Sequence, residues 1–187
     1  MNGLIKIIQV IDRINERLGQ IFAWLSIPLI LGLSYEVIAR YFFKAPTEWA
    51  FDVTYMLYGS IFMLGAAYTL LKGGHIRTDI FYQNWSVRKK GILDAVSYLV
   101  FFFPGMLFFL LAGWDYAFRS FQQQELAMTS PWRPPIWPFK MVIPISIAFL
   151  IMQGLSEFIK SAYAALKGQA LFETKSAEEI AVQEEII

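Results

Sequence analysis

The stretch Ala95–Trp114, AVSYLVFFFPGMLFFLLAGW, decides the fold. It runs for 20 residues without an Asp, Glu, Lys or Arg. A helix needs roughly 20 mainly apolar residues to cross a bilayer. Three further runs share its character: Leu18–Tyr35, Val53–Leu71 and Met141–Ser156 are also free of those four residue types. Water would not dissolve four such runs, and a core built from 187 residues would not hide them all. The chain therefore reads as an all-α membrane protein with four transmembrane helices, at about 18–43, 50–71, 92–118 and 138–164.

Composition narrows the function. Of the residues, 57% are hydrophobic, and 16 Lys+Arg nearly balance 15 Asp+Glu, so no concentrated positive field exists for nucleic acid. With no cysteine, disulfides, thiolate metal sites and a Cys nucleophile are excluded. The single histidine, His75, is too few for paired haem ligands or a His-rich zinc site. No cofactor and no metal are expected. The four spans occupy most of 18–164 and leave no length for a soluble catalytic domain, so the protein is not expected to be an enzyme.

Residues 1–17 do not read as a cleavable signal peptide, because Asp12, Arg13, Glu16 and Arg17 interrupt them. Leu4, Ile5, Ile7, Ile8, Ile11, Ile14 and Leu18 share a broad face at helical spacing, with Lys6, Gln9, Arg13 and Glu16 opposite. That pattern predicts an amphipathic helix lying in the lipid interface. The alternative is an extension of the first span. Residues 165–187 form an acidic tail, with Glu173, Glu178, Glu179, Glu184 and Glu185 against Lys175 in its last stretch.

Loop charges set the orientation. Eleven Lys and Arg fall in the N-terminal segment, the middle connection and the chain from the end of the fourth span onward; five fall in the other two connections and the span ends beside them. The positive-inside rule then places both termini and the middle connection in the cytoplasm. Of the two outer connections, the second is stiff: Ser130–Phe139 contains four prolines and two tryptophans. Trp132, Arg133 and Trp137 are candidates either for an interfacial anchor or for contact with an outer partner.

The middles of the spans carry no charge. Glu36 and Arg40 sit four apart near the outer end of the first span, at a spacing that allows pairing. Glu48 and Asp52 stand at the start of the second span. A carrier that moves a charged solute alone would hold a mid-membrane charge or unwound helices. The chain reads as a scaffold rather than a conduit.

These residues make a resemblance visible. Arg40-Tyr41-Phe42 closes the first span, Trp49 precedes the second, Gly65-Ala66-Ala67 lies within it, and Gly74-His75-Ile76-Arg77-Thr78-Asp79 follows. With Trp137 and Pro144 at the fourth span, the pattern resembles the small membrane subunit, DctQ-like, of tripartite ATP-independent periplasmic (TRAP) transporters. The family often has Trp-x-x-Glu at the second helix. Here Trp49 is followed by Asp52, one carbon shorter, and Glu48 adds an acid just before it.

The resemblance implies a function by assembly in the bacterial inner membrane. A larger multi-span subunit would carry sodium and substrate. A periplasmic substrate-binding protein would deliver an organic acid. This chain would widen the scaffold, bind no substrate itself, and use Glu36, Arg40, Trp49, Asp52, His75 and Asp79 as structural or subunit-interface residues. Membrane lipids would be its other partner. Two other classes stay open: a small proton-coupled exporter working as a dimer, and a membrane anchor for another complex.

Overall fold

A computed structural model describes residues 2–74, 85–169 and 171. Its helices are α1 (Asn2–Ala23), α2 (Ser26–Tyr41), α3 (Ala50–Leu71), α4 (Val87–Ser97), α5 (Phe103–Gln122) and α6 (Trp137–Lys167), with a π turn at Tyr98–Phe102 joining α4 to α5. Four helical stretches are long and apolar enough to cross a membrane: Gly3–Tyr41, Ala50–Leu71, Val87–Gln122 and Trp137–Lys167. Four such stretches match the expected number, and the helices reach further than their apolar runs. No strand occurs among the described residues; two facing residues, Leu126 and Pro135, make an isolated bridge.

Prolines explain the irregularities. Proline cannot donate a backbone hydrogen bond, and its ring crowds the carbonyl four residues earlier. For Pro28 that carbonyl belongs to Trp24, and the helix is interrupted at Trp24-Leu25. There Trp24 N–H donates to Ile21 O at 3.2 Å and Leu25 N–H to Phe22 O at 3.1 Å, tighter turns than an α-helix. The break thus falls at Trp24, not at the junction of residues 17 and 18 where charge gives way to apolar sequence. Pro104 is preceded by the π turn, in which Phe103 N–H donates five residues back to Tyr98 O. The wider turn takes up the strain that Pro104 would otherwise place on Val100. Pro144 lies buried inside α6, which continues through it.

The chain divides into two compact units. One takes in the residues up to Glu16, Ala67–Leu107, and the chain from Phe149 onward. Close helix approach organises it. A Cβ on Gly91 would lie 2.6 Å from the Ala165 nitrogen and 2.7 Å from the Ser161 oxygen, so α4 meets the backbone of α6. Gly154 leaves room for the Phe102 ring. Phe103 stands edge-on to Phe158 with ring centroids 5.8 Å apart. Small residues permit this in membrane helices, where dispersion and close packing replace the hydrophobic effect between helices.

The second unit comprises Arg17–Ala66 and Phe108–Ala148. Gly59 faces the Phe139 ring, and Gly113 faces Ile143. Ala50, Ala117, Ala127 and Ile147 are among its buried apolar residues, and Ala39 is buried on α2.

Candidate functional site

The charged pair foreseen near the end of α2 forms. Arg40 Nε donates to Glu36 Oε1 at 2.8 Å. The other carboxylate oxygen accepts from the Thr47 backbone N–H at 3.0 Å and from the Thr47 hydroxyl. Glu36 therefore fastens the link between α2 and α3 to α2. Trp49 stacks on Tyr35 with centroids 5.8 Å apart, which holds the same link from its far end.

Asp52 lies in the first turn of α3 and is 1% exposed. Its two oxygens accept from the hydroxyls of Thr129 and Ser130. A carboxylate is also favoured there by the positive end of the helix dipole. Asp52 thus anchors the long connection between α5 and α6. Sequence reasoning did not single out Thr129 and Ser130; their only local signal was two hydroxyls directly before Pro131.

That connection is a narrow loop pinned at its base. Ala127 N–H donates to Pro134 O at 2.8 Å, and Ile136 N–H to Glu125 O at 3.0 Å. Lys140 pairs with Glu125 at 2.5 Å while its ammonium sits 4.1 Å from the Tyr116 ring centroid. The Lys140 ammonium holds the Glu125 carboxyl below its ordinary range. Trp137 is turned inward, edge-on to Phe121 at 5.0 Å. The tip is left projecting: Met128 is 88% exposed, Trp132 is 48% exposed, and Arg133 is exposed with a left-handed φ of 47°. The three loop candidates therefore separate. Trp132 and Arg133 are presented outward, and Trp137 packs against the protein.

The other unit contains a polar network built around Gln153, a residue whose place in an apolar span marks it for helix–helix hydrogen bonding, with partners that sequence reasoning did not name. Gln153 on α6 is 0% exposed. Its carbonyl accepts from Asn15 Nδ2 at 2.8 Å, and its amide donates to Asp12 at 3.0 Å and to Glu157 at 3.2 Å. Ser156, also buried, donates to the same Asp12 oxygen at 2.7 Å. Lys160 bridges Asp12 at 2.8 Å and Glu157 at 2.7 Å. Lys72 at the end of α3 pairs with Glu16 at 2.8 Å. A signal existed: Asn15 falls inside the apolar arc that also holds buried Ile8 and Ile11. His75 and Asp79 lie outside the described residues.

These groups fasten helices. Charged and amide side chains spend their hydrogen bonds on one another, and no group of three His, Cys, Asp or Glu able to hold a metal occurs among the described residues. The class is a multi-pass helical membrane protein whose polar interior serves cohesion. Its family follows from a match over residues 29–163 to the DctQ component of tripartite ATP-independent periplasmic transporters. The chain belongs to that family, a class of transport components and not of enzymes. It is accordingly a multi-pass protein of the inner membrane. No curated protein matches the chain.

Proposed function

We propose that the protein is the small scaffold subunit of a TRAP transporter. It supports a larger ion-coupled membrane subunit in uptake of an organic acid, with sodium as the coupling ion, and a periplasmic binding protein supplies the substrate. Both termini face the cytoplasm, as the distribution of Lys and Arg favours. The observation that carries the reading is the family match over 29–163 in a chain whose embedded polar side chains are tied to one another.

Glu36, Arg40, Trp49 and Asp52 serve as structural ties in this reading. Glu36 is held by Arg40 and Thr47, an arrangement ill-suited to the mobile acid of a small exporter. Trp132 and Arg133, at the tip of the pinned loop, meet the periplasmic protein.

The test is affinity purification of the tagged chain from its own membranes in mild detergent. A larger multi-span protein recovered in fixed ratio supports the reading. Recovery of a homodimer alone refutes it. Trp132→Ala with Arg133→Ala should slow organic-acid uptake while the membrane complex still assembles, and unchanged uptake removes the loop from the contact.

A further inference from the structure

One exposed face of α3 differs from the other lipid-sized surfaces. Phe51, Tyr55, Tyr58, Phe62 and Gly65 fall within one helical stripe, at steps of four, three, four and three. Tyr58 is 64% exposed and Phe62 is 74% exposed. A Cβ built on Gly65 would meet nothing within 4 Å, so the stripe ends in a notch beside a ring.

Tyr58 lies eight residues into α3, about 12 Å along the axis and close to the middle of a hydrocarbon layer about 30 Å thick. Among the described residues its hydroxyl has no hydrogen-bond partner, nor has that of Tyr55. A serine can return its proton to its own helix, as Ser60 does to Met56 O at 2.7 Å. A tyrosine hydroxyl stands too far from the backbone to do so. Hydrocarbon offers no acceptor, and an unmade hydrogen bond there is costly. The exposed Phe108 and Leu111 on α5, and Ile27, Ile30 and Leu31 on α2, present hydrocarbon only, and the exposed Tyr35 and Trp114 of those helices stand at the ends of their apolar runs. Lipid suits those faces and leaves Tyr58 unsatisfied.

The size of the surface also fits a protein contact. At about 200 Å² for each aromatic side chain, the exposed parts of the four rings offer about 500 Å². That is more than half of the roughly 800 Å² that each partner gives to a stable interface. A second copy is a poor occupant. Two copies share one orientation in the membrane, so a symmetric pair sets rings against rings at equal depth and notch against notch. A different helix can put small residues opposite the rings, a bulky one in the notch and an acceptor near Tyr58.

We infer that the Phe51–Gly65 stripe of α3 is the surface on which a membrane helix of the larger transporter subunit docks. This rests on the scaffold-subunit reading above and names the face it uses.

The test places the photocrosslinking residue p-benzoylphenylalanine at position 58, 62 or 108 of the full chain, with all its partners expressed. Irradiation should join positions 58 and 62 to a chain larger than this one, and position 108 should give no such product. Gly65→Leu, which fills the notch, should cut co-purification of the larger chain roughly fivefold or more, the scale of a side chain forced into a packed contact. A product of twice the mass of this chain from position 58 or 62 overturns the choice of occupant. Crosslinking from 108 in place of 58 and 62 overturns the choice of face. If the unmodified chain recovers no larger partner, the scaffold reading itself falls and takes this inference with it. If it recovers one that neither 58 nor 62 touches, this inference alone falls.

Discussion

Replacing Gln153 by Leu should destabilise the protein more than any other single polar substitution on α6. The side chain is fully buried and makes three hydrogen bonds, two of them to carboxylates. Leu keeps the volume and removes all three. Asn15 then loses the acceptor for its amide, and its own carbonyl oxygen already has no partner. Hydrogen bonds to charged groups contribute about 1.5–3 kcal/mol in soluble proteins, while those between membrane helices average about 0.6 kcal/mol. Weighing one buried unsatisfied amide against these, the loss should be about 2–4 kcal/mol. For a chain of this size that lowers the unfolding midpoint by roughly 5–15 °C.

The assay is thermal unfolding in detergent, followed by fluorescence and by loss of the monodisperse peak. Adding Asn15→Leu to the same chain should recover part of the loss, because removing both partners is cheaper than stranding one. Gln153→Glu places a third carboxylate beside Asp12 and Glu157 and should be worse at neutral pH. A midpoint for Gln153→Leu within 2 °C of the wild type, a margin of about half a kcal/mol, would refute the reasoning.

Three further outcomes follow from the packing and the loop. Gly91→Ala forces a methyl against α6 backbone at 2.6 Å and should cost about 1–3 kcal/mol, read as a lower midpoint, whereas Gly105→Ala meets nothing and should cost far less at that position. Asp52→Ala removes the acceptor for the Thr129 and Ser130 hydroxyls; limited proteolysis should then cut the loop near Arg133 several times faster, with the helices intact. Glu125 is held below the ordinary carboxylate value of 4.5, so its tie to Lys140 is complete above that pH and is lost as pH falls through the lower folded value. Trp132 fluorescence anisotropy should drop in that acid window, and Glu125→Gln should remove the step.

The four spans were legible because each apolar run is long enough to be read alone. The Glu36–Arg40 pair was legible for the same local reason, a spacing of four on one helix. The ends were less so. Val87–Lys90 and Ser161–Lys167 continue helices beyond the apolar core, where nothing in hydropathy marks the stop. The break at Trp24 is set by Pro28, not by the charge boundary that drew attention upstream. The Asn15–Gln153 contact joins residues 138 apart, and no local pattern encodes such a distance. Trp132 and Trp137 look equivalent in sequence; only the packing of Phe121 tells them apart.

The π turn at Tyr98–Phe102 has an evolutionary reading. It holds one residue more than the α-helical path needs, so the chain before it and the chain after it are out of step by about 100° of helical phase. Such a turn is how a helix absorbs a single-codon insertion without unfolding. Pro104 then makes the insertion hard to lose, since a uniform α-helix through that point would press its ring on Val100. With Pro104 replaced, the chain could lose one residue there without that clash, whereas with Pro104 kept the offset between the two sides of the turn is held in place.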